Sequence, residues 1–599
     1  MTLASIYIEG YYLFKREQTI NFGGEFIYDF KNDDRESVIE INRNENEDFI
    51  EKFWGSNISL VSAIVGENGA GKTSLINTIL LNFNNTNIGN IDCDRIILIF
   101  ETKKDIIIYS RDNTNNIISI KPINFEKSEK SVDVSTVFYT PILDIRDFYI
   151  NHSNSHYTDI SRFRFFQNDT ESEEGTFSKL TEFHLSENLK RWIVFISEFK
   201  TNIESDFKYL PEFNEITVHI NRVFSLLDKP DQISLDFRNF LKPFYNKWQN
   251  EYRKNSQVTN RKRLELNLVL AVIEKLFNIL EETGNIYLNE GRLNMTLKDI
   301  ENMSLKDSFF LFLDKHYFIK FENVSLPVEE IKELTEILIN NLPNEEDISF
   351  NRWDQYAVSN QTALKIINSY QKFIKAFSEH FTYDKTILLT FKPNIDMSSG
   401  EKGLLDLFSS FYDVKASISS DNLLIFIDEG DASFHPEWKI KFVNSIVNLF
   451  PNIIKDKKIQ IIFTTHDPLT LSDVPNNNVV YLKKEENKTN VLGEDMKPKK
   501  SFGANITDLL ADSFFIKDGL IGDFAKEKIE EVINYVNDME STITNNAEAK
   551  KIINIIDEPI LKYKLEEMYF KKFPKEYNKE KEIEDLLKKA IELGLNIQR

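Results

Sequence analysis

Cysteine is almost missing from this chain of 599 residues: Cys93 stands alone. No disulfide can close within the chain, and no Cys-x-x-Cys zinc hook can form. Long apolar runs are missing too, since none reaches the roughly 18 residues of a membrane span. The start, Met1-Thr2-Leu3-Ala4-Ser5, has no basic stretch and no cleavage site, so no secretory signal is expected and the cytoplasm is the expected location. Positive charge is in deficit. With 73 Lys and Arg against 95 Asp and Glu, the formal charge of −22 argues against a protein that coats nucleic acid with its whole surface. A local basic groove remains open to it. Lys497-Pro498-Lys499-Lys500 and Arg261-Lys262-Arg263 are small basic clusters that read first as solvated charge and second as phosphate contacts. No heptad persists long enough for an extended coiled coil, and no internal repeat is present.

What is present begins with an octet. Gly66-Glu67-Asn68-Gly69-Ala70-Gly71-Lys72-Thr73 follows the apolar run Ile58 to Val65 and precedes Ser74-Leu75-Ile76. Strand, glycine loop and helix in that order are the setting of a phosphate-binding loop. The glycines let successive backbone N–H groups turn toward phosphates, and the helix starting near Lys72 directs its positive end at them. Lys72 is expected to reach the β- and γ-phosphates of a nucleoside triphosphate, and the Thr73 hydroxyl to ligate Mg²⁺.

Around this loop the chain is expected to be α/β. Residues 5–9, 19–22 and 25–28 read as antiparallel strands, and 95–100, 105–109 and 136–140 as further strands. Segment 151–180, rich in Asn, Ser, Thr and Glu, reads as loop. His152 and His156 lie in it without further ligands, and a metal site there is not expected. From about 185 to 385 the spacing turns helical, with Val269, Val272, Ile273, Leu276, Phe277 and Leu280 on one face. Ile331, Leu334, Ile337, Leu338 and Leu342 approximate a second stripe, which Pro343 stops. Strand character returns at 386–391, 423–427 and 460–464, with 478–482 expected as the last strand. The domain reading is 1–185 for the first half of the ATPase, 186–385 for a large helical insertion, 386–490 for the second half, and 491–599 for a helical C-terminal region.

The strand 423–427 ends in Asp428-Glu429. A carboxylate there can hold Mg²⁺ opposite Thr73, and Glu429 stands where a general base for the attacking water belongs. Met397-Ser398-Ser399-Gly400-Glu401 precedes another helix. Ser398 and Glu401 have capping-box spacing, so an ordinary helix start competes with a second reading, in which the Ser398 hydroxyl and Gly400 N–H face a γ-phosphate.

The order of motifs decides between them. Phosphate loop, Ser398-Ser399-Gly400-Glu401, Asp428-Glu429, then Thr464-Thr465-His466-Asp467 resembles the ATP-binding-cassette arrangement. The resemblance covers roughly residues 1–145 and 386–490. It implies a mixed, largely parallel sheet with an antiparallel N-terminal β subdomain. It also makes Leu423 to Glu429 the Walker B strand, Ser398–Glu401 the signature and His466 the switch histidine at the γ-phosphate. In that family the signature completes the opposite protomer's ATP site, so a homodimer, or two copies within a larger assembly, is implied. No Q-loop glutamine is assigned; its expected place is near residues 137–144.

Transporter cassettes carry a compact helical subdomain and a Ser-Ala-Leu-Asp type of D-loop, and this chain departs from both. Its Asp428-Glu429-Gly430-Asp431 continues to His435-Pro436-Glu437-Trp438, which resembles the RecF/SMC-like and OLD-like ATPases. Trp438, Phe442, Ile446 and Phe450 form an i+4 stripe for packing. No TOPRIM pattern follows residue 490, and no HNH pattern is present. With the tail Ser501-Phe502-Gly503-Ala504-Asn505-Ile506, the motifs resemble the PtuA-like ATPases of Septu and retron-associated anti-phage systems. That resemblance implies an ATPase that regulates a separate effector, an HNH-like nuclease, with retron or other defence components as further partners. DNA contact would be direct or through the partner, with no membrane involved. The alternative is a RecF/SMC-like repair or maintenance ATPase that binds DNA itself.

Overall fold

The computed structural model describes residues 1–11, 13–33, 38–83, 94–112, 119–142, 156–161, 176–199, 210–221, 235–253, 258–283, 303–315, 326–348, 354–377, 381, 387–485, 488–512, 521–576, 578 and 583. Cys93, His152, Thr386, residues 143–144 of the expected Q-loop segment and most of the expected loop 151–180 lie outside them. The chain divides into Met1–Phe514 and Phe515–Arg599.

The first unit opens with β1 (Thr2–Glu9), β2 (Gln18–Asn21), β3 (Phe26–Asp33) and β4 (Val38–Glu45), followed by β5 (Ile58–Gly66) and helix α1 (Lys72–Phe83). Next come β6 (Arg95–Glu101), β7 (Ile106–Asp112), β8 (Ser119–Pro122), β9 (Ser135–Tyr139) and β10 (Tyr157–Asp159). Strands β2-β1-β6-β7 form an antiparallel sheet, and β3-β4-β8 a small mixed one, with β3 antiparallel and β8 parallel to β4. The unbroken apolar run of β6 has a simple cause. Ile96, Leu98 and Phe100 face the core around α1, while Ile97 and Ile99 face Tyr28, Ile39 and Ile41 of the small sheet. Both faces are covered, so the polar half of the usual alternation is absent.

The following segment is helical over most of its described length: α2 (Thr176–Val194), α3 (Leu235–Arg253), α4 (Asn260–Thr283), α5 (Leu305–Lys315), α6 (Val328–Asn340) and α7 (Asn360–Ala376). It also carries β11 (Glu215–Ile220) and β12 (Gln355–Ser359), which flank in sequence what the periodicity shows as helix. The stripe from Val269 to Leu280 is buried, but so are Glu274, Lys275 and Asn278 on the other sides of α4. This helix is therefore central, not amphipathic. Lys275 meets Glu182 at 3.4 Å with both side chains out of solvent, and the Tyr370 hydroxyl donates to Glu182 at 2.7 Å. At the start of α4, the Glu345 carboxylate accepts from the N–H groups of Asn260 and Arg261, as expected at a helix N-terminus. Lys262 pairs with Glu265 and Arg263 lies over Tyr252, so two members of that basic cluster are engaged locally.

The unit closes with β13 (Leu389–Pro393), α8 (Ser399–Val414), β14 (Asn422–Ile427), α9 (Pro436–Ile453), β15 (Lys458–Thr464), α10 (Pro468–Leu471), β16 (Val479–Glu485), β17 (Lys488–Val491) and α11 (Ile506–Asp512). Strand β13 pairs with β11, in the three-stranded sheet β12-β11-β13. The seven-stranded central sheet runs β10-β9-β14-β15-β5-β16-β17, parallel except for β17. The fold is thus the expected mixed α/β architecture, rich in parallel strands, with antiparallel sheets at the N-terminus. Phe411 packs on Tyr139 and on Phe450, and Phe442 on Phe463, which sets α8 and α9 against one face of the sheet. The other face meets α1.

Two expectations are corrected here. Strand 478–482 is not the last, because β17 follows and pairs with β16. Its sequence, Lys-Thr-Asn-Val, is polar because it is an edge strand with little to bury. The segment 151–180 is not all loop either: β10 adds a parallel edge to β9, and α2 begins at Thr176. Three residues are too few to show a period.

In the second unit, α12 (Asp523–Val536), α13 (Asn546–Asn554) and α14 (Pro559–Lys572) enclose a core of Val532, Val536, Ile543, Ala549, Ile553, Leu565 and Tyr569. No helix among the described residues is long and apolar enough to cross a membrane.

Candidate nucleotide-binding site

Parallel strands deliver their carboxyl ends to one edge of a sheet, and in open α/β folds ligands bind in the crevice there. At this edge β5 ends in the glycine loop, β14 in Asp428, β15 in Thr464 and β9 in Tyr139. Because β15 lies between β5 and β14, residues at its tip reach both.

The loop itself needs its glycines. Gly69 and Gly71 have φ of 73° and 87°, and a Cβ on Gly71 would come within 2.8 Å of Leu13. The Thr489 hydroxyl, on β17, donates to the Ala70 carbonyl at 2.9 Å, and the Thr489 N–H donates to the Leu13 carbonyl. The loop is therefore braced from behind by the strand that sequence reading missed. Gly66 closes β5, with Glu67, Asn68 and Ala70 in the turn, and Ser74 lies in the first turn of α1. The buried Lys72 ammonium donates to the Gly66 and Glu67 carbonyls at 3.1 and 3.2 Å. Burial pushes its pKa down to about 8, against the pull of Glu429 and Asp428.

Across the crevice the Thr73 hydroxyl donates to Asp428 Oδ2 at 2.8 Å. The Thr464 hydroxyl donates to Asp428 Oδ1 at 2.6 Å and accepts from the Glu429 N–H at 2.8 Å. Glu429 has φ of 51°, a left-handed conformation uncommon for a non-glycine residue. That turn brings Glu429 Oε1 to 3.2 Å from His466 Nε2. The contact with His466, more than Lys72, holds the Glu429 carboxyl below its ordinary range, although partial burial opposes it. The two oxygens of Thr73 and Asp428 are hard donors of the kind Mg²⁺ takes, and inward N–H groups with a buried ammonium suit phosphate. The residues present fit both groups.

Asp431 and Asp467 organise the next turn. Asp431 is buried and accepts from the Thr465 and Thr470 hydroxyls at 2.7 and 2.6 Å, and burial raises its pKa. Asp467 caps α10 and meets Lys439 of α9 at 2.7 Å.

Ser398, Ser399, Gly400 and Glu401 stand at the N-terminus of α8. The capping box is complete: Glu401 N–H donates to Ser398 Oγ at 3.3 Å, and Ser398 N–H donates to Glu401 at 2.8 Å. A Cβ on Gly400 would lie 3.1 Å from Trp438, so the half-buried indole of the His-Pro-Glu-Trp turn packs directly on this helix start. The structure thus brings the glycine loop, Asp428, Glu429 and His466 together, whereas the side chains of Ser398 and Glu401 hydrogen-bond within their own helix start. Thr464 is the residue that sequence reading left without a role. A hydroxyl ending the strand Lys458–Thr464 does not by itself mark such a role.

This architecture and site define a P-loop ATPase class, and the chain belongs to the family described as AAA domain, putative AbiEii toxin, Type IV TA system, which it matches over residues 61–472, more than half its length. It is also similar to the Septu protein PtuA of Bacillus mycoides (strain KBAB4), 36% identical over 92 residues, which are 15% of this chain and 12% of that protein. A second relative is the Retron Vc95 probable ATPase of Vibrio cholerae serotype O1 biovar El Tor, 32% identical over 123 residues, 19% of this chain and 22% of the relative. The matches thus span less than a quarter of either relative. The kinship with Septu and retron proteins that the motif order implies is borne out at that level.

Proposed function

We propose that this protein is a Mg-ATP-dependent ATPase that closes as a dimer around ATP and regulates a separate effector, a nuclease, in anti-phage defence. The observation that carries the reading is the crevice in which Thr73, Asp428, Thr464, Glu429 and His466 form one connected set beside the glycine loop. In this reading residues 1–185 and 386–490 make the ATPase head, 186–385 the insertion, and 491–599 a helical region for docking a partner. The cytoplasm is its proposed location.

Mg²⁺ bound with ATP supplies charge neutralisation at the transferring phosphate. The chain's own residues do the rest. Gly66 to Ser74 bind the phosphates, with Lys72 as the fixed cation and Thr73 and Asp428 as metal ligands. Glu429, kept ionised by His466, accepts the proton of the attacking water, and His466 holds that carboxylate in place. Ser398, Ser399, Gly400 and Glu401 present a helix N-terminus to the phosphate of the second protomer.

The test has two parts. Glu429→Gln should bind ATP but lower turnover by about 100-fold or more, the range for loss of a general base; unchanged turnover removes Glu429 from that role. Tagged protein recovered with the products of adjacent genes should carry a stoichiometric nuclease. Recovery of a bare dimer that retains DNA by itself in a salt-dependent way would favour a repair ATPase instead.

A further inference from the structure

A buried polar chain leads from the crevice into the insertion, and the function above makes no use of it. Tyr139 ends β9, and its carbonyl accepts the Asp428 N–H at 2.9 Å. Its hydroxyl lies 3.3 Å from Asp406 Oδ2, and the other oxygen of Asp406 lies 3.5 Å from the Arg191 guanidinium. All three side chains are buried. Asp406 sits two turns into α8, the helix that begins at the signature. Arg191 is in the last turn of α2, the helix that crosses residue 185 and leads into the insertion.

Helix α2 is held at both ends. Toward its start, Glu182 takes the Tyr370 hydroxyl and Lys275, and Gln371 donates to Ser186 and Glu187, which ties α2 to α4 and α7. The Tyr370 hydroxyl also accepts from the Leu389 N–H of β13 at 3.3 Å, on the strand that runs toward Ser398. Beyond its end, a π-helical turn, Phe195–Phe199, packs its rings against Tyr412 of α8, whose hydroxyl donates to Glu198 at 3.0 Å. Wide turns of this kind re-aim side chains by inserting one residue into the helical ladder.

We infer that Arg191, Asp406 and Tyr139 are positioning residues that lock the signature helix to the Walker B edge and carry the state of the nucleotide site into the helical insertion. The inference rests on the ATPase reading above. A buried ion pair is poor evidence of extra stability, since apolar replacements often serve as well. Its distinctive property is discreteness. If α8 slid along α2, or withdrew from β9, the Asp406 carboxylate would be left buried with fewer partners, so intermediate positions are disfavoured. A shift at Asp428 therefore moves β9, α8 and α2 together.

The experiment is hydrogen exchange with mass spectrometry on the full chain, with and without Mg²⁺ and a non-hydrolysable ATP analogue. Affinity is measured alongside with a fluorescent analogue. In the wild type the analogue should slow exchange in the glycine loop and also in α2 and α7. In Tyr139→Phe the loop should keep its protection and the affinity should stay within about twofold, while the response of α2 and α7 falls to about a fifth. Asp406→Asn, which removes the charge but keeps hydrogen-bonding capacity, should behave likewise and serves if Tyr139→Phe is poorly folded. A response of α2 and α7 that survives both substitutions, or is absent from a wild type whose loop is protected, overturns the inference alone. A wild type whose loop gains no protection overturns the ATPase reading and the inference with it.

Discussion

Lys72 is a cation in a place that disfavours cations. Buried at the mouth of the crevice with its pKa lowered to about 8, it gives ATP binding a definite pH dependence. The sign follows from linkage. Between about 8 and the ordinary lysine value of about 10.5, the unfolded chain binds more protons at this residue than the folded chain, so its contribution to stability rises with pH there. Phosphate favours the ammonium, so binding in the same window should take up a proton, and affinity should fall as pH rises. Calorimetry at pH 8.5 in buffers of different ionisation enthalpy should show an uptake of about three quarters of a proton, and none near pH 6.5 from this residue; Lys72→Ala should lose nucleotide binding. Thr464→Val removes one hydrogen-bond donor to the buried Asp428 carboxylate and the hydroxyl that accepts the Glu429 N–H. It should cost about 2 kcal/mol in denaturant unfolding and weaken Mg-ATP more than ATP alone.

At the scale of elements, the sequence pattern misleads where the number of covered faces differs from the usual one. The periodicity of α4 shows one stripe, yet Lys275 on another face is as buried as the stripe itself, because α2 and α7 supply Glu182 and Tyr370 from outside. Lys275→Met should therefore destabilise the chain by about 3 kcal/mol, the cost of stranding a buried partner. A second change, Glu182→Gln, should recover part of that loss, and denaturant melts of the single and double variants would measure both. The strands β5, β14 and β15 were legible because sheets covered on both faces need largely apolar or β-branched runs. Edge strands β10 and β17 were not, having little to bury. That the glycine loop, Asp428, Glu429 and His466 converge was legible because each follows an apolar strand, and parallel strands end at one edge of the sheet. Thr464 was not, since a hydroxyl that bridges two motifs looks the same in sequence as one that faces solvent.

For the whole molecule, the largest prediction concerns assembly. Glu429→Gln with Mg-ATP should shift the native mass from one copy to two, the signature of each protomer meeting the nucleotide of the other. Ser399→Arg, at the exposed helix start, should abolish that shift while leaving ATP binding by the single copy within about twofold. A native mass unchanged by ATP in Glu429→Gln would count against the dimer. Two kinds of information meet in this protein. By itself the sequence determined the α/β class, the glycine loop, the carboxylates at the end of β14 and the lack of any internal disulfide. Each of these is a local demand: a left-handed glycine, an apolar run, a charge at a strand tip, a missing thiol. Only the tertiary structure decided that β15 runs between β5 and β14, that β17 braces the loop and that Arg191 reaches Asp406. These are contacts between residues far apart in the chain, set by sheet order and helix packing, and no periodicity along a single segment encodes them.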